Sequence, residues 1–338
     1  MQRRGGRYLP KGSSYVTAAA ANPDKSRQRL LQRAERALGQ NRVEEAVMKV
    51  RAIIGPPNIP ASELLAQAAL DKMRQGEEPT PEELSALEIV VRLLRPVVFS
   101  RNGALDDLPE TPGHDLHPQE YKDLWSDFRK KIAPLLYSIG RIEFAADGRH
   151  VGTGFLVNDR GIATNRHVLG VLTYGSEALP AGKARIVFKQ EAGSTNPAGE
   201  IVSLEGGATI HRSLDMVLLR IAKTTRPPIT VTSARASESE QVAAIGYPAD
   251  DRINNPAFLA AVFQGQFGVK RAALGEVLDG TASPTLFHDC STTQGNSGSP
   301  IFSLNTGSVV GIHRAGYFMY RNEAVDAEAL AAFVKSAP

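Results

Sequence analysis

The sequence predicts two unlike parts in series, a small all-α module followed by an all-β sandwich or barrel. Two patterns carry that prediction. Between residues 22 and 95, apolar residues recur at spacings of three and four in four separate runs, each bracketed by helix start and stop signals. After Pro134 the texture changes to short apolar runs separated by Asn, Asp and Gly turns, with little further helix until residue 327. The length of 338 residues suits about two domains, and an apolar content of 42% suffices for their cores.

Residues 1–21 carry Arg3, Arg4 and Arg7 and an alanine-rich run without an apolar signal core, and read as a disordered lead-in. In the first helix Asn22 caps, Pro23 takes the first position, and Leu30, Leu31, Ala34, Ala37 and Leu38 form a stripe that Gly39 ends. The second spans about 43–54, with Val43, Val47, Val50 and Ile54 on one face and Gly55-Pro56-Pro57 after it. The third runs from Ser62 to Arg74 and stops at Gly76. The fourth opens on a capping box with proline at N1, Thr80-Pro81-Glu82-Glu83, lines up Leu84, Leu87, Val91 and Leu94, and closes at Pro96. Residues 22–99 thus form a four-helix module. It contains neither His nor Cys, and its charged residues read as solvated faces. Two roles stay open for it: a regulatory domain that engages a protein partner, or a structural cap or propeptide packed on the β-rich part.

Residues 100–118 are rich in turn formers and carry Asp106, Asp107, Glu110 and Asp115, the composition of a linker. His114 and His117 lie three apart there with no further ligands nearby, so no metal is expected. Residues 119–338 form the second part. An amphipathic helix (Tyr121, Leu124, Trp125, Phe128, Ile132) leads into strands over about 136–144, 151–157, 184–188, 200–204, 216–221, 241–245, 269–278 and 308–312, and a helix over 327–335 ends the chain.

Three sites in this part fall in a definite order. His167 comes after the strand end Ile162-Ala163-Thr164, Asp215 opens the buried strand Met216–Ile221, and Ser297 lies between glycines in Gly295-Asn296-Ser297-Gly298. A serine hydroxyl is too weak an acid to attack unaided, so an imidazole must take its proton while a carboxylate fixes the tautomer and stabilises the imidazolium. Glycines beside the serine let backbone N–H groups approach a developing oxyanion. A Gly-x-Ser-Gly string alone is weak, since such turns are common. The order His, Asp, Ser is the one used by two-barrel peptidases.

The segments GTGFLV, TNRHVL, LDMVLLRI, VAAIGYP, STTQGNSGSPIF and VVGIHRAG stand in that order over residues 135–335. On them this region resembles the trypsin-like, chymotrypsin-fold double β-barrel serine peptidases, and within them the bacterial branch with the V8-type glutamyl endopeptidases and the HtrA proteases. The resemblance implies His167 as general base, Asp215 as its orienting acid, Ser297 as nucleophile, and the N–H groups of Gly295 and Ser297 as oxyanion hole. Asn296 stands where the trypsin branch has the aspartate that pairs with a freed N-terminus, and Ser291 where a Lys/Arg-specific pocket would need Asp. Thr292 and His313, with Arg314 beside it, match the V8-type pocket, which implies a peptide or protein substrate cleaved after Glu or Asp. The alternative for His313 is a strand histidine in a small-residue pocket. If specificity is acidic, Glu110, Asp106 and Asp107 become candidate self-cleavage sites and the helical module a propiece. The rival reading from another class is a catalytically silent or partner-activated scaffold whose helices recruit a partner.

Composition narrows the rest. Thirty-nine basic against 36 acidic side chains, a net charge of +3, offer no electrostatic footprint for nucleic acid or an anionic membrane. No run approaches the 18 apolar residues of a membrane span. The single cysteine, Cys290, excludes an intrachain disulfide and suits a reducing compartment. The expectation is a cytoplasmic protein with no cofactor.

Overall fold

The structure, a computed structural model, describes residues 23–39, 41–54, 62–110, 116–194, 200–233, 235–251, 256–317 and 321–337. The lead-in 1–21, Asn22, His114 and Asp115 lie outside them.

The four helices form where the caps and stripes place them: α1 (Pro23–Leu38), α2 (Val43–Ile54), α3 (Glu63–Arg74) and α4 (Pro81–Leu93). The capping box closes reciprocally, with Glu83 N–H donating to Thr80 Oγ1 at 3.2 Å and Thr80 N–H to Glu83 Oε2 at 2.7 Å. Their apolar stripes bury Ala34, Leu38, Val43, Val47, Leu87 and Val91. Their charges are not all solvated, however. Arg33, Glu88, Arg92 and Arg95 are buried. The physical reason lies in the second half of the chain, whose carboxylates supply counter-charges to Arg33 and Arg95.

The expected linker begins as strand. Strands β1 (Val97–Arg101) and β2 (Ala104–Leu105) make a hairpin around Asn102 and Gly103, both at positive φ, and β1 pairs antiparallel with β11 (Arg271–Asp279). Val97-Val98-Phe99 is a good strand former, but the turn residues after it hid the strand. Phe99 lies under the Arg271 guanidinium, 3.5 Å from carbon to ring centroid. The acidic residues after the hairpin are paired, Asp106 with Arg101 at 2.8 Å, Asp107 with Arg129, and Glu110 with Lys122 at 2.8 Å. Helix α5 (Gln119–Ile132) then leads through a 3-10 turn (Ala133–Ser138) into the sheets.

The first sheet holds β3 (Ile139–Phe144), β4 (His150–Leu156), β5 (Gly161–Thr164), β6 (Ala184–Val187), β7 (Ile201–Ser203), β8 (Ala208–Ile210) and β9 (Val217–Arg220) in the order β7-β6-β3-β4-β5-β9-β8. The second comprises β10 (Gln241–Gly246), β11, β12 (Thr285–His288), β13 (Pro300–Ser303), β14 (Val309–Tyr317) and β15 (Arg321–Asp326), with β1 and β2 added at its edge. Pairing of β10 with β11 closes these strands into a ring of six. Two antiparallel barrels in series are the chymotrypsin-like architecture, with the helical region before them. Helices α6 (Arg166–Leu172), α7 (Pro256–Phe263) and α8 (Ala327–Ser336) complete the chain.

Successive residues of β10 face different cores. Val242 and Ala244 join a cluster with Ala34, Leu38, Leu87 and Val91 of the helices, and with Cys290, while Ala243 and Ile245 join one with Phe155 and Met216 of the first sheet. The helical module therefore shares its core with the second barrel.

Candidate active site

Strand β5 ends at Asn165, whose extended backbone (φ −84°, ψ 149°) turns the chain into α6. Val168, Leu169 and Leu172 of that helix bury into the first sheet's core, which leaves His167 on the opposite, open side with 44% of its side chain exposed. Asp215 immediately precedes the buried residues Met216 and Val217. Both of its carboxylate oxygens hold His167. Oδ2 lies 2.7 Å from Nδ1, and Oδ1 accepts the His167 backbone N–H at 3.0 Å. Asn165 Nδ2 donates to the Asp215 carbonyl at 2.9 Å, tying the two segments a second time. A carboxylate at Nδ1 selects the tautomer with its proton there and leaves Nε2 free to accept one. Burial pushes the Asp215 carboxyl up, but the hydrogen bond from His167 and the nearby His167 and Arg314 charges outweigh it and hold the group below the usual carboxylate value.

Ser297 is half-buried in a loop that glycine makes possible. Gly295 and Gly298 have φ of +88° and +87°, where an L side chain is strained. Space forbids one as well: a Cβ on Gly295 would lie 2.5 Å from His150 Cε1 and Tyr247 O, and one on Gly298 would lie 2.1 Å from Thr153 O. Backbone bonds fix the loop's peptide planes. Gln294 O accepts from Ala249 N–H at 2.6 Å, and Asn296 O from Ser299 N–H at 2.9 Å. Carbonyl and N–H of one trans peptide point opposite ways. The N–H groups of Gly295 and Ser297 are thus turned away from those partners, and neither donates a hydrogen bond among the described residues.

The two halves of the site meet across β4. Thr153 N–H donates to Ser297 O at 2.8 Å, and a Cβ on Gly152 would lie 2.8 Å from Val168 and 3.1 Å from Ser297 O. Glycine at 152 lets the His167 helix and the serine loop approach the same strand. Among the described residues no hydrogen bond joins Ser297 Oγ to His167.

The pocket residues lie beside the serine loop. Gly298 N–H donates to His313 O, and His313 N–H to Ser299 O, each at 2.9 Å. His313 is buried, as is Ser291, whose Oγ finds no hydrogen-bond partner. His288 Nε2 lies 3.1 Å from His313 Nδ1. Burial pushes the His288 imidazole down to about 3 and the His313 imidazole well below its ordinary value, so both are neutral at pH 7. Arg314 pairs with Glu323 at 2.7 Å. Asn322 donates through Nδ2 to Cys290 O, and a Cβ on Gly316 would stand between Asn322 Oδ1 (2.6 Å) and Thr292 Oγ1 (3.5 Å). Sequence reasoning did not place His288 or Asn322 beside the pocket, and His150, which reads from the sequence as an exposed turn residue, opens β4 half-buried against Gly295. For Asn322 no local signal existed, because β15 carries no alternating pattern.

Residues 152–312 match the family model of the trypsin-like peptidase domain. The β-rich part of this chain is a trypsin-like peptidase domain. No curated protein matches the chain significantly. Among solved structures the chain is similar to a serine endoprotease from Yersinia pestis, with 19% identity over 62% of this chain and 65% of that one, at a TM-score of 0.45. It thus spans less than two thirds of the Yersinia chain. It is also similar to a Glu endopeptidase in complex with MPD (19%, 61% and 92%, TM-score 0.47) and to a protease from M. tuberculosis in its active form (19%, 61% and 82%, TM-score 0.42). These likenesses are loose, and the family match carries the assignment of the peptidase domain. Among the described residues no group of three or more His, Cys, Asp or Glu could hold a metal ion, and no helix is long and apolar enough to cross a membrane.

Proposed function

We propose that the chain is a serine endopeptidase in which Ser297 Oγ attacks the scissile carbonyl of a peptide and His167 Nε2 takes its proton. Asp215 holds the imidazole by Nδ1 and stabilises the imidazolium. The tetrahedral oxyanion is received by the N–H groups of Gly295 and Ser297, each such donor being worth roughly 3–4 kcal/mol in the transition state. Collapse expels the amine, which leaves with the proton from His167, and water then hydrolyses the acyl-enzyme by the same route. The observation that carries this reading is the two-point Asp215–His167 clasp at 2.7 and 3.0 Å, set across β4 from a glycine-flanked serine. Fluorophosphonate labelling of the full chain, lost in Ser297→Ala, is the test.

For specificity we propose Glu, or Asp, on the acyl side of the cleaved bond. With His288 Nε2–H donating to His313 Nδ1, the neutral His313 carries its proton on Nε2 and can donate it to a side-chain carboxylate, helped by Thr292 and Ser291 hydroxyls. His288 Nδ1, which finds no partner, is then the unprotonated nitrogen. Arg314 stands next to His313 with its charge already paired to Glu323. Peptides differing only in Glu, Gln or Leu at that position test this; equal cleavage of all three contradicts it.

The missing Ser297–His167 hydrogen bond favours a second reading, a peptidase latent until a partner engages the helices. Such bonds often tighten only when substrate binds, and labelling of the purified chain alone separates the two. The buried, unpaired Cys290 supports a reducing compartment such as the cytoplasm.

A further inference from the structure

The segment from Asp289 to Ser299 carries Ser291 and Thr292, the Gly295 and Ser297 donors, and Ser297 itself. The chain has one cysteine, so no disulfide holds this segment. Its root is held instead by charge from the helical module. Arg29, Arg33 and Arg36 recur at spacings of four and three, on one face of α1. Each meets carboxylates from the second barrel. Arg29 pairs with Glu238 at 2.7 Å, and Arg36 with Glu276 at 2.6 Å. Arg33 donates to Asp289 Oδ2 through Nε at 3.0 Å and Nη2 at 2.8 Å, and also holds Glu88 of α4 at 3.0 Å. Arg95, just past α4, donates to the same Asp289 oxygen and pairs with Glu276 at 2.9 Å. The other Asp289 oxygen accepts Glu276 N–H at 2.6 Å.

Asp289 is 1% exposed and Arg33 6%. Removing one partner of such a group strands a buried charge, which is strongly destabilising. Asp289 therefore keeps its native place only while the helices are docked. The residues on either side of it reach the pocket: His288 contacts His313, and Cys290, whose side chain packs in the core shared with the helices, offers its carbonyl to the Asn322 amide. Asp289 thus faces the module while the strand end and backbone beside it contact pocket residues.

We propose that the helical module is a built-in activator of the pocket, with Arg33 and Arg95 as positioning residues that pin Asp289. This rests on reading the site as a peptidase. The module is a working part of the enzyme, and loosening it lowers activity. Coupling is reciprocal, so occupancy of the pocket also tightens the docking of α1.

The test uses the full-length chain as wild type, Arg33→Ala, Arg33→Lys, and the exposed control Lys130→Ala on α5. Two quantities are read: the rate of fluorophosphonate labelling, and hydrogen exchange of the amides in 288–297. The expected result is a labelling rate at least ten-fold lower in Arg33→Ala, with exchange in 288–297 at least ten-fold faster and Lys130→Ala unchanged. Arg33→Lys, which keeps the charge and loses the fork, falls between. Labelling as fast as wild type or faster in a folded Arg33→Ala, with exchange unchanged, overturns the proposal. If Arg33→Ala does not fold, wild-type labelling and exchange in Arg33→Lys overturn it equally. Should the wild type itself not label, the reading of the chain as a peptidase active on its own fails in favour of the latent one, and exchange in 288–297 still decides whether Arg33 pins the segment.

Discussion

Asp215 spends both oxygens on His167, one on the ring and one on the backbone. An asparagine there keeps the shape but offers a single acceptor oxygen, and no longer selects the Nδ1–H tautomer. Asp215→Asn is expected to lower kcat by roughly 10³–10⁴ with KM little changed, as in comparable triads, measured on a peptide ester or amide. The stability that the clasp contributes is present above the ordinary carboxylate range. It is lost as pH falls through the depressed native value of Asp215. His167, Asp215 and Ser297 stood out as candidates because each sits in a short motif whose residue types suit the proposed chemistry, and the structure brings the first two together. His288 did not stand out: a histidine ending a strand carries no mark of what it touches, and its contact with His313 joins residues 25 apart in sequence.

Elements were legible wherever one face is dry and the other wet. The four helices of the module have that pattern, and their boundaries, like those of β3, β4, β6, β7 and β9, fall within a few residues of those expected. β10 and β11 read as plain apolar runs because both of their faces are buried, in different cores. β13 and β15 gave no pattern for the same reason, their residues being mostly buried, and β12, though it alternates, is only four residues long. α7, an apolar stretch of eight residues, is too short for periodicity to distinguish helix from strand. β1 went unread because its three strand-forming residues, Val97-Val98-Phe99, sit between the proline that closes α4 and a cluster of turn formers. The best-marked element is α4, and its mark is energetic as well. Thr80→Ala removes one arm of the capping box and is expected to cost about 1 kcal/mol, read as a lowered urea midpoint with an unchanged slope.

At the scale of the molecule, among the described residues, His117, His288 and His313 are buried and His150 half-buried, all in their neutral form. Burial lowers His117 to about 4, His150 and His288 to about 3, and His313 well below the ordinary value of 6.5. With native values below the unfolded one, the unfolded chain binds more protons as pH falls from 6.5. Stability is then present above that pH and lost beneath it, at up to about 1.4 kcal/mol per histidine per pH unit. Urea titrations at pH 7 and pH 5 are expected to show a marked drop, one larger than replacing any single histidine by Gln abolishes. The charges buried between helices and barrel were the part of the architecture furthest from view in the sequence. Arginines at helical spacing look like a solvated stripe until the carboxylates they meet, more than 200 residues later, are placed beside them.

Cys290 stands in that same seam, fully buried, its thiol pushed up to about 12 chiefly by burial. A thiol so placed is inert toward alkylating reagents while helices and barrel stay together, and reacts once they part. Because it is the chain's only cysteine, the rate of its modification is a clock for that parting, readable by mass in the unlabelled protein. Slow modification in the native chain, sped up by sub-denaturing urea and slowed by an occupied pocket, is the behaviour expected of it.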